Sequence, residues 1–329
     1  MKNLTLPVLF FLFTFLIKVV NAESTPHSSE SAAYGWLQKI AAAPRHLNFR
    51  GTFVYSANGH IETSKITHRV DLEGEHEKIE VLDGIARIVY RNNDEMKCYM
   101  PNSKKIYTEK RWFRKFFPDL LPQPSKRIKE YYTIETVTQE RIAGYDSQVL
   151  RLMPKDSLRY GYKFWVHIDS GLLLKAAVID KKDIIEQFAF TQIEIGDEIG
   201  TNLLDPALLK ASQNWKTINL STVVLVEGEL AWQFGELPAG FEKVAEMKRN
   251  LVGKSMMVDH IVLSDELATV SVFVEPIKEN SSSPIPGFYS SRGAINIYVR
   301  ELRDNKITTV GEVPLNTIKL IGDAVFVQN

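Results

Sequence analysis

The chain has 329 residues, enough for two domains of ordinary size. Hydrophobic residues make up 44% and charged residues 24%, a balance that excludes wholesale disorder. Forty basic side chains meet forty acidic ones, so no global charge is available to hold a nucleic-acid backbone.

At the N-terminus, Lys2 precedes an apolar run from Leu4 to Ile17, and Val20-Asn21-Ala22 follows. This pattern predicts a secretory signal peptide over residues 1–22, cut after Ala22. The run is about 14 residues long, short of the roughly 20 that span a bilayer. Cys98 is the single cysteine, so the exported chain has no internal disulfide and relies on its core. A reactive thiol and a small apolar strand residue are the two readings of Cys98, and the second is favoured.

Residues 23–33 are polar and Ser-rich and read as a leader. Trp36, Leu37 and Ile40 have helical spacing, which predicts a helix over 34–43 that stops at Pro44. Short β-type runs follow at 49–56, 61–70, 77–82, 85–91, 97–100 and 105–108. They are punctuated by turn dipeptides such as Asn58-Gly59 and Asp83-Gly84. After a break at 111–121, further strands are predicted at 132–137, 147–153, 162–168, 172–179 and 184–195. A first domain over 23–200, a linker over 201–219 and a second domain over 220–329 result. The second domain holds predicted strands at 222–226, 231–234, 258–263, 268–275, 294–301 and 306–310, and a helix over 315–323. Residues 281–293, rich in Ser, Pro and Gly, read as a flexible loop.

Catalytic chemistry finds little support. No GXSXG elbow is present, Ser170 reads as a turn residue, and Asp156 and Asp169 have no evident acid–base partner. His60, His68 and His76 are eight residues apart, a spacing without meaning for a metal site on strands. The reading is therefore no enzyme, no metal and no cofactor. Residues 109–121, EKRWFRKFFPDLL, are different. On a helix, Trp112, Phe113, Phe116 and Phe117 share a face that Leu120 and Leu121 extend, with Lys110, Arg111, Arg114 and Lys115 opposite. These six apolar residues are lipid-binding candidates, because an acyl chain beside an anionic head group suits such a stretch. The same aromatics would equally well fill a barrel core. Arg292, Arg300 and Arg303 form a basic group that is a candidate for partner binding or simply solvated. The run from Glu266 to Glu275 is either an edge strand open to an added peptide or a central strand already paired.

Several long strings resemble one family. They are NFRGTFVY at 48–55, RIAGYDSQVLRLMPKDSLRYGYKFWVHIDSGLLLKA at 141–176, LPAGF at 237–241, DHIVLSDELATVSVFVEP at 259–276 and GEVPLNTIKLIGDAV at 311–325. Their order and spacing resemble the MucB/RseB family across almost the whole mature chain. The resemblance implies a mostly β fold with some α. The N-terminal domain would be similar to the lipoprotein carriers LolA and LolB, an unclosed antiparallel β-barrel plugged by helices. A smaller α/β domain with an antiparallel sheet and a helix would follow. It further implies a periplasmic regulator that binds the periplasmic segment of a membrane anti-sigma factor of the RseA/MucA type. Binding would shield that segment from regulated proteolysis and so restrain the sigma-E envelope stress response. Lipid-bearing ligands, such as lipoprotein acyl chains or lipopolysaccharide fragments, would release it. The alternative is a lipoprotein or lipid carrier of the LolA type, which would have no use for the second domain. Rotation of the domains about the linker is expected to couple the two ligands. The oligomeric state, a homo-oligomer included, is left open.

Overall fold

The computed structural model describes residues 26–110, 127–196, 199, 203, 206–254, 256–277, 285–290 and 293–327. It opens with α1 (Pro26–Ala42), which tightens into a single 3-10 turn at Ala43–Arg45. The helix starts earlier than the predicted residue 34, so most of the expected leader is helical. The reason lies in the apolar stripe: Ala33 is fully buried one turn before the fully buried Leu37.

Six strands follow: β1 (Phe49–Ala57), β2 (His60–Asp71), β3 (Gly74–Val81), β4 (Ile88–Asn92), β5 (Glu95–Met100) and β6 (Lys105–Lys110). After the one-turn helix α2 (Ile128–Tyr131) come β7 (Tyr132–Ile142), β8 (Tyr145–Pro154), β9 (Gly161–His167), β10 (Leu173–Asp180) and β11 (Asp183–Ile195). Then α3 (Pro206–Ser212) leads to β12 (Lys216–Asn219). All twelve strands form one sheet, in the order β12-β6-β5-β4-β3-β2-β1-β11-β10-β9-β8-β7. The first and last of these do not pair, so the sheet is unclosed. It curls far enough for β11 to reach β7 across the bend. The β1–β2 turn has Asn58 at φ 48° and Gly59 at φ 76°, the paired left-handed residues that an Asn-Gly hairpin requires.

Period-two alternation sorts the side chains to the two faces. Leu150, Phe164, Ala176 and Phe188 sit in register on the inner face, and α1 packs over them with Leu37 and Ile40. Their neighbours Val149, Trp165 and Ala177 point outward and form a small cluster of their own. The helix is therefore the plug of the half-barrel.

The second unit contains β13 (Thr222–Val224), β14 (Trp232–Phe234), β15 (Glu242–Arg249), β16 (Val258–Ser264), β17 (Thr269–Pro276), β18 (Gly287–Ser290), β19 (Asn296–Leu302), β20 (Asn305–Gly311), α4 (Leu315–Ala324) and β21 (Val325–Val327). Its main sheet runs β13-β15-β16-β17-β20-β19-β18, and β14 pairs with β21 beside it. Ile318 and Ile321 of α4 cover the face that carries Ile261, Leu263, Val270, Val272 and Ile307.

Three strands depart from the sequence reading. β12 lies in the stretch expected as linker and runs parallel to β6. β15 falls where no strand was predicted, because its EKVAEMKR sequence is largely charged and its alternation is broken by a bulge between Lys243 and Ala245. β18 falls in the expected loop, since Phe288 and Tyr289 pair with Tyr298 and Ile297 of β19. The choice left open for Glu266 to Glu275 is resolved against an edge: β17 is central, between β16 and β20.

Truncating the plug tests this packing. Leu37→Ala should lower unfolding free energy by about 2–5 kcal/mol in urea titrations, as for other fully buried leucines. A loss well under about 1 kcal/mol would show that α1 is not part of the core.

Candidate functional site

The inner face beyond the plug carries two contrasting rows. Ile66, Ile79, Val89, Cys98 and Tyr107 are in register across β2 to β6. Ile66 is buried, while the other four keep part of their surface open to the concavity. Cys98 is thus a half-buried strand residue, with its thiol 3.9 Å from the Met100 sulfur. The adjacent row reads His68, Glu77, Arg91, Met96 and Glu109. His68 is fully buried, stacks on Phe49 at 4.7 Å and donates from Nε2 to the Pro44 carbonyl at 2.6 Å. Glu77 lies 3.5 Å from His68 and 3.4 Å from Arg91. Glu109 ends the row and accepts from Arg249 of the second unit at 2.5 Å. An apolar band bordered by fixed charges is suited to an amphiphile, with its chain along the band and its polar end at the charged row.

A second assembly lies where the two units meet. Asp265 sits in the β16–β17 turn and is 1% exposed. Its Oδ2 accepts from Arg159 Nε at 2.8 Å and from the Tyr132 hydroxyl at 3.2 Å. Its Oδ1 accepts the backbone N–H groups of Leu267 at 3.0 Å and Ala268 at 2.6 Å. Burial pushes the Tyr132 phenol well above its ordinary pKa, so it stays a donor. Arg159 also binds Asp156 at 2.6 Å and the Ala239 carbonyl at 2.5 Å, with the rings of Tyr131 and Phe241 at 4.7 and 5.5 Å. Leu267, from the same turn, is buried among Leu37, Tyr132 and their neighbours in the core of the first unit. Gly240 makes the close approach possible: at φ +88°, an added Cβ would lie 2.8 Å from the Tyr131 ring.

Sequence reasoning missed Arg159, Asp265 and Leu267 as site residues. Both charged groups stand within the strings that resemble the family, yet no spacing rule links positions 106 residues apart. Of the predicted candidates, Trp112, Phe113, Phe116, Phe117, Leu120, Leu121 and Arg292 lie outside the described residues. Arg300 turns inward along α4, donating to the carbonyls of Gly322 at 2.7 Å and Val325 at 2.5 Å. There it caps the C-terminal end of the helix. Arg303 occupies the tight β19–β20 turn at φ 53° and is exposed. Ser170 belongs to the β9–β10 turn: its Oγ lies 2.7 Å from His167 Nδ1 and accepts the Leu172 N–H at 3.2 Å. Among the described residues, no group of three or more His, Cys, Asp or Glu is placed to hold a metal ion.

An unclosed sheet with a partly apolar inner face, braced by a second sheet unit, is the architecture of a two-part binding protein. The chain belongs to the MucB/RseB family, whose N-terminal domain model matches residues 32–208 and whose C-terminal domain model matches residues 226–326. This is a family of regulatory binding proteins. The chain is 28% identical to the sigma factor AlgU regulatory protein MucB of Pseudomonas aeruginosa, covering 94% of this chain and 95% of that relative. It is 25% identical to the sigma-E factor regulatory protein RseB of Escherichia coli K12, covering 94% and 93%. Among solved structures, the MucA/MucB complex of Pseudomonas aeruginosa superposes with a TM-score of 0.67 at 27% identity, covering 91% of this chain and 99% of that one. A crystal structure of MucB gives 0.62 at 26% identity, covering 91% and 98%.

One buried group in the second unit predicts a pH response. His260 stacks on Phe273 at 4.3 Å, and neither ring nitrogen has a hydrogen-bond partner. Burial, with a smaller contribution from Arg249, pushes its pKa down to about 3. The unfolded chain therefore binds more protons below the ordinary histidine value of about 6.5, and stability falls as pH drops from there toward about 3. Between about pH 7 and pH 5 the loss from this residue should be about 2 kcal/mol, and His260→Phe should remove it. Urea titrations at both pH values check this, and an unchanged pH slope in the variant would contradict it.

Proposed function

We propose that this chain binds the periplasmic segment of a membrane-spanning anti-sigma factor of the RseA/MucA type. In doing so it shields that segment from regulated proteolysis and holds the sigma-E envelope stress response in check. The observation that carries this reading is the near full-length likeness to MucB as solved with MucA, over 91% of this chain. The protein acts in the periplasm, with residues 1–22 as the export signal removed after Ala22. Its working parts are the half-barrel over 23–200, the connection over 201–219, whose last four residues join the half-barrel sheet as β12, and the second domain over 220–329.

Lipid-bearing ligands release the partner. The half-exposed row of Ile79, Val89, Cys98 and Tyr107 beside the charged row supports an amphiphile on the inner face. The aromatic stretch with Trp112, Phe113, Phe116, Phe117, Leu120 and Leu121 supplies further apolar surface next to it in sequence. Arg303, exposed on a turn of the second domain, suits an acidic stretch of the partner. A carrier function of the LolA type is the weaker reading, because a carrier needs only the curled sheet and this chain builds a second one.

Titration of the mature protein with the extracytoplasmic segment of its host's anti-sigma factor tests the proposal. Binding tighter than about 1 μM, worth about 8 kcal/mol, is expected together with protection of the segment from proteolysis. Absence of binding, with lipid co-purifying instead, would favour the carrier.

A further inference from the structure

The unclosed sheet has two edges, and the second unit is fastened at both. At the β12–β6 edge the fastening is backbone. Lys216 to Asn219 run in a ladder along β6, and the Leu220 N–H donates to the Thr108 carbonyl at 2.8 Å. Immediately beyond, the Asn250 N–H donates to the Ser221 carbonyl at 3.0 Å, already inside the second unit. Only Leu220 and Ser221 therefore separate the two ladders. Arg249 reinforces this edge through Glu109.

At the β7 edge the fastening is made of side chains. Asp265 and Leu267 enter from one turn and meet Arg159, Tyr132 and the core around α1. Arg127, just before α2, pairs with Glu242 at 2.7 Å. Those contacts place β15 as a bar between the edges, with Glu242 at the β7 side and Arg249 at the β6 side. Its eight residues span about 23 Å.

We propose that the second unit is a strap across the open seam of the half-barrel, pivoting at Leu220 and Ser221, with the Asp265–Leu267 turn as its releasable end. The two fastenings differ in how they can fail. The β6 edge leaves only by unzipping a continuous ladder along its own chain. The β7 edge is held by separate side-chain contacts: the turn's carboxylate and leucine are its buried anchor, and Arg127–Glu242 at 2.7 Å, Thr317 to the Leu158 carbonyl at 2.6 Å, Asn296 to Tyr160 at 3.0 Å and the Ala294 N–H to Glu186 at 2.8 Å must part after it. While the turn is seated, the separation of the two edges is fixed. An amphiphile that widens the concavity moves the edges apart, and β15 follows only by drawing Leu267 out of the first core. A partner that touches both units then loses the arrangement it binds, since a fixed arrangement lowers the ordering cost of association. The link to the partner rests on the function proposed above, whereas the strap itself does not.

The test uses the mature full chain and two variants, Asp265→Asn and Leu267→Ala. An asparagine keeps an oxygen for the turn's own N–H groups but turns a donor toward Arg159, so it loosens the joint without dismantling the turn. In hydrogen-exchange mass spectrometry, residues 128–132, 156–160 and 237–241 should exchange at least about tenfold faster in both variants, while 105–108 and 216–219 keep native rates. Affinity for the anti-sigma segment should fall about tenfold in parallel. Equal loosening at both edges, no loosening in a folded variant, or an opened β7 edge with unchanged affinity would each overturn the proposal. Should a variant fail to fold, native chain in mild urea decides: the β7-edge segments must open before the β6-edge ones, and the reverse order refutes the strap. A native chain that does not bind the segment sinks the functional reading alone, and the exchange pattern still decides the strap.

Discussion

A twelve-stranded sheet that curls without closing has two rows of unpaired backbone groups and an apolar inner face, and the other elements answer to that constraint. The plug α1 covers the inner face on one side with Leu37 and Ile40. The parallel strand β12 extends one edge, and the second unit reaches the other through α2 and the start of β7. Among the described residues, the row on β3 to β6 keeps part of its surface exposed, so the surface best suited to a ligand lies where the described covering elements stop.

The Arg159–Asp265 pair shows how the two units hold one arrangement. Both side chains are fully buried, and stripping water from two charges is costly. Here the cost is offset by saturation: each carboxylate oxygen takes two donors, and the guanidinium is shared among Asp156, Asp265, the Ala239 carbonyl and three rings. Such a set tolerates little displacement, because moving either unit strands a buried charge. The pair thus acts on specificity of arrangement more than on net stability. The exposed Arg127–Glu242 pair, by contrast, contributes little on its own.

The sequence was most readable where pattern and function of a residue coincide. Helical spacing of Leu37 and Ile40, Asn-Gly at the first hairpin and alternation along β8 to β11 each carry a local cause, and most strands appear within a few residues of their predicted ends. β15 was not readable because its sequence is largely charged, and its buried acidic residue, Glu246, is satisfied by Lys243 of the same strand at 2.5 Å and by the distant Gly228 N–H at 3.1 Å. A glutamate in a strand pattern looks solvated until its partners are placed. The joint was hidden for the same reason, since Arg159 and Asp265 look like ordinary surface charges in one dimension. The family resemblance supplied the choice of an unclosed barrel among curved sheets, which no alternation pattern distinguishes.

The leucine contributed by the β16–β17 turn to the first core also bears on how the chain assembles. The central β1–β11 pairing already joins Phe49 to Ile195, so the half-barrel waits for nearly two hundred residues before its sheet is continuous. Its core then waits longer, until Leu267 arrives. A chain delivered N-terminus first holds a nearly finished half-barrel with a gap in its apolar interior while the second unit is still being made available. During that interval the nascent molecule carries exposed apolar surface and an unpaired sheet edge, the features that invite chaperones and misassembly. Completion of the second unit is therefore also the last step in maturing the first.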